Sequence, residues 1–287
     1  VSDGAPLLRL QQALLGYPGT APLRARLDLE IRHGARHVLL GANGAGKSLL
    51  LLTLAGALPL LAGSLQWEGE PLKRTSEQLR RWRLRTGIVF QDPDDQLFAE
   101  TVFEDVCFGP KNLGLSPKEV RQRAEQALSA LGIGALGSRS PSSLSLGQKF
   151  LAALAGVIVM QPRLLLLDEP TAGLDPRSLA MLRGALQTLS EQGTTVVVAT
   201  HDMAFALAWC DFASAFDLEG RLISSAAEQF FACPERIEAL GLALPPVMEF
   251  MRVLSSRGAE PALSPTPRTV AELAERVLRD PPILRKA

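Results

Sequence analysis

Aromatic residues are scarce in this chain: they make up 5% of its 287 residues, with a single tyrosine. A core of stacked rings is excluded, so Leu, Ala and Val must fill it. Cysteine is scarce as well. Cys107, Cys210 and Cys233 are odd in number, far apart and without metal-ligand spacing. That excludes a disulfide framework and a zinc site; the expectation is a reducing compartment, with the cysteines as small buried apolar residues. The histidines, His33, His37 and His201, are too scattered to join them. An excess of charge is missing too, since 30 Lys plus Arg balance 30 Asp plus Glu. This argues against a globally basic nucleic-acid binder, and no nucleic-acid partner is expected. No apolar run reaches the roughly 18–20 residues of a membrane-spanning helix. The longest, Leu49 to Ala62, is interrupted by Pro59. The opening VSDGAPLLRL has no basic region ahead of an apolar run, so no secretory signal is expected.

What is present suits a globular α/β protein. At 47% hydrophobic and 21% charged, the composition excludes long disorder. The length predicts about two domains and a sizeable core. Leu7 to Leu15, Leu27 to Ile31, Arg36 to Leu40, Ser64 to Trp67 and Gly87 to Phe90 read as strands. A leucine-rich helix is predicted over Lys47 to Leu58, stopped by Pro59. From about Asp92 the character becomes helical. Pro117 to Leu131 places Val120, Ala124, Ala127, Leu128 and Leu131 on one face, after a Ser-Pro-Lys-Glu start that caps a helix. Gln148 to Met160 and Pro176 to Glu191 read as helices. Arg163 to Leu167 and Thr194 to Thr200 are apolar on both faces, as buried parallel strands are. Strand and helix alternate, which predicts a mostly parallel sheet. After about Ala226 only short helices are expected, over Pro234 to Leu240, Pro245 to Leu254 and Thr269 to Leu278, with the loop PALSPTPR before the last.

Two constellations carry chemistry. Gly41-Ala-Asn-Gly-Ala-Gly-Lys-Ser48 fits G-x-x-x-x-G-K-[ST] in full, between a strand and a helix. Backbone N–H groups of Gly41, Asn43, Gly44, Ala45 and Gly46 can curl round a phosphate chain, and the helix start that includes Leu49 adds partial positive charge. Lys47 would reach the outer phosphates and Ser48 would hold Mg²⁺. In Leu164-Leu-Leu-Leu-Asp168-Glu169, a buried strand delivers two carboxylates to its C-terminal edge, where open parallel sheets bind ligands. Asp168 is the candidate for the Mg²⁺ shell and Glu169 for polarising the attacking water.

On these residues the chain resembles an ATP-binding-cassette ATPase over about residues 7–225, with every landmark in the family order. The resemblance implies a P-loop NTPase core with a mostly parallel sheet, an antiparallel β subdomain, a helical insert at about 92–161 and a small C-terminal helical extension. It divides the chain into a nucleotide-binding domain, 1–231, and an extension, 232–287. It implies ATP and Mg²⁺ as ligands. Gln91, in VFQDPDDQLF, matches the Q-loop glutamine, which joins the Mg²⁺ and water shell. Leu144-Ser-Leu-Gly-Gln148 matches the signature, whose Ser145, Gly147 and Gln148 are donated across a dimer to the other subunit's ATP. Asp175, in AGLD, matches the D-loop, His201 the switch histidine that contacts the γ-phosphate, and Tyr17, in GYPGT, the aromatic that stacks on adenine. One departure stands out: Leu146 occupies a position usually held by glycine. It lacks glycine's backbone freedom and adds a side chain near the nucleotide, so a slower or less tightly closing site, not a dead one, is expected.

FQDPDDQLF and the tail, LGLALPPVMEFMRVL and PRTVAELAERVL, are similar to energy-coupling-factor importers of cobalt, nickel or vitamins. This implies a motor at the cytoplasmic face of the cell membrane. Its partners would be a second ATPase subunit, identical or paralogous, an integral membrane coupling subunit and a substrate-binding membrane subunit. Asp92, Asp94 and Asp95 either suit basic coupling helices or form a solvated loop, and the extension either adds dimer contacts or caps the sheet edge. A soluble cassette ATPase and an ATPase of another importer class remain as alternatives. The absence of a second phosphate loop, cysteine pairs and a long coiled-coil insert speaks against the soluble one.

Overall fold

The computed structural model describes residues 6–256 and 266–279. The chain begins with β1 (Leu8–Leu14), β2 (Leu27–Ile31), β3 (Arg36–Leu40) and α1 (Lys47–Leu54). Then come β4 (Ala62–Trp67), β5 (Glu70–Pro71), α2 (Ser76–Arg85) and β6 (Thr86–Val89). The helical insert holds α3 (Val102–Asn112), α4 (Pro117–Ala130) and α5 (Leu146–Ile158). β7 (Leu164–Asp168), α6 (Pro176–Glu191), β8 (Thr195–Thr200), α7 (Met203–Trp209), β9 (Phe212–Phe216) and β10 (Leu222–Ala226) complete the core. The last described elements are α8 (Ala227–Phe230), α9 (Pro234–Ala239), α10 (Pro246–Ser256) and α11 (Val270–Arg279).

Two sheets form. One is antiparallel, in the order β2-β1-β4-β5. The other runs β10-β9-β3-β8-β7-β6 and is parallel except for the β10 edge. This is the predicted mostly parallel core with an antiparallel β subdomain. Strand alternation divides the interior. Leu164 and Leu166 of β7 face α1 and the antiparallel sheet, with Leu49, Leu50 and Leu54. Leu165 and Leu167 face the other way, onto Leu151 and Leu154 of α5 and Leu182 of α6. The same second core takes in Ile237, Leu240, Met248 and Leu273 of the C-terminal helices. The Arg268 guanidinium donates to the Cys210 carbonyl at 3.0 Å, tying the segment before α11 to the end of α7. The first five residues of the predicted loop PALSPTPR lie outside the described residues.

Several expectations are corrected. α1 ends at Leu54, not Leu58: the chain turns left-handed at Gly56 (φ 71°), so the helix has ended before Pro59. The insert carries α3 ahead of the predicted α4, and β9 and β10 extend the second sheet where no strands were read. Cys107 and Cys210 are buried as expected, with burial pushing the Cys210 thiol up to about 12. Cys233 is exposed at the start of α9, its thiol 3.2 Å from a Glu235 carboxylate oxygen.

Candidate functional site

The site grows from the C-terminal edge of the parallel sheet. β3 runs out at Leu40, the chain crosses the glycine-rich loop, and α1 begins at Lys47 with Gly46 (φ 105°) as its left-handed entry. β7 lies one strand beyond β8 and ends in Asp168, in register with Ala199. The next residue, Glu169, continues the ladder by donating its N–H to the Ala199 carbonyl at 2.8 Å. Its backbone is then left-handed (φ 45°), a conformation that costs a non-glycine residue roughly 1–2 kcal/mol. The turn leaves its carboxylate buried between α1 and the end of β8.

There the charges hold one another. The Lys47 ammonium donates to the carbonyls of Gly41 (2.8 Å) and Ala42 (3.3 Å). It stands 3.2 Å from Glu169 Oε1, an ion-pair distance without an aligned hydrogen bond. Glu169 Oε2 accepts from the His201 backbone N–H at 3.2 Å and lies 2.9 Å from His201 Nδ1. In this bond the carboxylate oxygen accepts and Nδ1 donates. The imidazole itself is largely exposed. Burial raises the Asp168 carboxyl above the usual range; Ser48 and Lys47 oppose that rise and the Glu169 charge adds to it.

These residues face a cleft of about 410 Å³. The structure brings Tyr17, Asn43, Gly44, Gly46, Lys47, Ser48, Leu49, Gln91, Asp168 and Glu169 together on its walls. Gly41 serves through its carbonyl on Lys47, Ala45 lies under the loop, its N–H bonded to Ala42, and His201 joins through Glu169. Tyr17 is exposed on the rim. The donors fit Mg²⁺: Asp168 Oδ1 is buried with no hydrogen-bond partner, and Ser48 offers a second hard oxygen. Among the described residues no group of three or more His, Cys, Asp or Glu could hold a metal alone.

The sequence matches the ABC transporter family over residues 25–172. The chain belongs to the ABC transporter family. It is an ATP-binding ATPase subunit of that family. The energy-coupling factor transporter ATP-binding protein EcfA of Carboxydothermus hydrogenoformans is 44% identical over 229 residues, 80% of this chain and 84% of that protein. The cobalt import ATP-binding protein CbiO of Rhodobacter capsulatus is 42% identical over 243 residues, 85% of this chain and 86% of that one. Among solved structures, cbiO1 from Clostridium perfringens, part of the ABC transporter complex cbiONQ, superposes with a TM-score of 0.74 at 35% identity. It covers 86% of this chain and 99% of its own.

The remaining landmarks of the ABC motif set lie off the cleft. Ser145 and Leu146 are exposed at the start of α5, and Gly147 is buried. Ser145 caps the helix and accepts from Gln148 N–H, while the Gln148 side-chain oxygen accepts from Ser145 N–H at 3.1 Å. Gly147 is glycine for packing reasons: a Cβ there would come within 2.5 Å of Ser178 Oγ on α6. Asp175 caps α6, accepting from the Arg177 and Ser178 N–H groups and from Ser178 Oγ at 2.6 Å. Of the two arguments for Leu146, the one from backbone freedom needs correction. It is the first residue of α5 and its φ is not positive, so this position does not need glycine's backbone freedom. Its side chain leans instead on the D-loop, with Cδ2 2.7 Å from where a Cβ on Gly173 would stand. Two of the three loop aspartates have partners within the chain. Asp92 caps a short 3-10 turn, Pro93–Asp95, and Asp94 is ion-paired to Lys149. Sequence reasoning missed both that pair and the Leu146–Gly173 contact, because each joins residues whose proximity only the fold creates.

Proposed function

We propose that the chain is the ATP-hydrolysing motor of an energy-coupling-factor type importer. It would act at the cytoplasmic face of the cell membrane and drive uptake of cobalt, nickel or a vitamin. The observation that carries the proposal is the Glu169 carboxylate bridging Lys47 and His201 on one wall of the cleft. Relatives named for energy coupling and cobalt import give it direction. Residues 1–231 form the nucleotide-binding domain and 232–287 its extension.

In this mechanism the loop from Gly41 to Ser48 binds the phosphates of ATP, with Lys47 moving from Glu169 toward the developing negative charge. Tyr17 stacks on the adenine. Ser48, Asp168 and Gln91 would hold Mg²⁺, which when bound neutralises phosphate charge. Glu169 orients water and accepts its proton as the water oxygen bonds to the γ-phosphorus and the bond to ADP breaks. His201, steered by Glu169, contacts the γ-phosphate. Ser145, Gly147 and Gln148, with Asp175 beside them, complete the site of a second ATPase subunit. ATP therefore favours the closed pair.

The test is to tag the protein in its native cell, solubilise the membranes gently and identify what co-purifies by mass spectrometry. Recovery of two integral membrane proteins, one a small substrate-binding subunit, is expected and would reveal the cargo. Recovery only with soluble partners would overturn the transport assignment and leave the ATPase chemistry.

A further inference from the structure

Lys149 stands in the first turn of α5, where the helix dipole disfavours a cation. Its side chain is mostly buried, 18% exposed. Both features require a counter-charge, and Asp94 provides it with both carboxylate oxygens, at 2.7 and 2.8 Å. The two residues are 55 positions apart. Asp94 belongs to the loop that starts at Gln91, and that loop is fastened at its other end. Gln96 accepts from Phe90 N–H (2.8 Å) and donates to the Ile88 carbonyl (3.1 Å), which fixes the loop to β6. The Asp105 carboxylate accepts from Phe98 N–H (3.2 Å) and Ala99 N–H (3.1 Å), which fixes it to α3. β6 in turn pairs with β7, the strand that ends at Asp168. A continuous bonded path therefore runs from the nucleotide cleft through the Gln91 loop to the exposed start of α5.

We infer that Asp94 and Lys149 are a positioning pair that locks the Ser145 end of α5 to the Gln91 loop, so that movement of one moves the other. This rests on the proposed role of that helix end in a second subunit's site. Neither side chain touches the cleft, so the pair acts on turnover through α5 and not on nucleotide capture.

The test uses the full chain with Asp94→Ala, Lys149→Ala and the swap Asp94→Lys/Lys149→Asp. Hydrogen exchange without nucleotide reads the link itself, and phosphate release under saturating ATP reads its consequence. Each single variant should speed exchange at residues 91–96 and 145–150 together, leaving 164–169 unchanged. Turnover should fall about tenfold, a typical coupling between contacting charges. Binding of a fluorescent ATP analogue should hold, and the swap should restore both exchange and turnover. Unchanged exchange at 145–150 in Asp94→Ala would sink the pair. So would loosened exchange with full turnover, or a loss that the swap fails to rescue while thermal midpoints fall alike. A wild-type chain that exchanges as expected but never hydrolyses ATP would instead remove the motor assignment and leave the mechanical link standing.

Discussion

Around Glu169 the buried charges are held inside one chain: Lys47 lies on one oxygen and His201 on the other. At the start of α5 the opposite holds. Ser145 and Leu146 face solvent, and their local bonds serve the helix cap and the D-loop, not a ligand. The first region is built on strands buried on both faces, the second on the solvent-facing start of a helix. A rigid sheet edge suits groups that must be placed to within fractions of an ångström. An exposed helix end suits a contact that is made and released. The asymmetry is what the proposed motor requires, one half-site fixed and the other presented.

The largest expected effect breaks the fixed half. Glu169→Gln keeps the size of the side chain and removes the base, so turnover should fall by about 10²–10⁴-fold, the contribution typical of a positioned general base. ATP binding should survive, because the loop and α1 are untouched. Phosphate release and equilibrium binding of a fluorescent ATP analogue check both halves. Unchanged turnover would take Glu169 out of that role. Light scattering of the same variant with ATP would show whether the chain pairs with its own copy.

The two regions also differed in how far the sequence revealed them. The Gly41–Ser48 loop and the Leu164–Glu169 strand were legible because spacing and a run of buried leucines are local properties. The signature motif was found by resemblance, and Leu146 was expected to add a side chain near a nucleotide, but its contact with Gly173 is created by the fold and was not legible. Elements defined by tertiary pairing were missed. β9 reads Phe-Ala-Ser-Ala-Phe, weak in β-branched residues, and exists because β3 and β10 flank it. α3 contains Gly109 and Pro110, which read as breakers, and α2 buries only Trp82. α7 is only seven residues long. Gly56 ended α1 ahead of the more conspicuous Pro59.

Acid acts on two buried groups with opposite signs. On the sheet side, burial pushes His37 down to about 4 from 6.5. Its Nε2 lies 2.7 Å from Ser214 Oγ, under the seam of the two sheets. Between those values the unfolded chain binds the proton and the folded one does not, so stability falls as pH falls. The loss should reach about 2 kcal/mol by pH 5 relative to pH 7. On the helical side, burial raises the Asp105 carboxyl, so acid relieves a buried charge there and acts in the opposite direction. Urea unfolding at pH 7 and pH 5 should show the net drop shrinking in His37→Gln. An unchanged drop in that variant would place the acid sensitivity elsewhere.

The smallest effect tests the presented half. Leu146 occupies the space above Gly173 and is 47% exposed, on the face the proposed motor would present to a second subunit. Leu146→Gly clears that space without disturbing Lys47, Glu169 or His201. Turnover should rise severalfold, and most clearly at low protein concentration, where closing of the pair limits the rate. The same substitution also releases the D-loop contact and loosens the backbone at the helix start. Leu146→Ala separates the two effects, because it removes the side chain beyond Cβ while keeping the helical backbone preference. Equal gains in both variants would assign the slow closing to side-chain bulk, and a gain in Leu146→Gly alone would return it to the backbone. Identical turnover in all three proteins would mean that the leucine is neutral, and that the presented half tolerates a signature without its usual glycine.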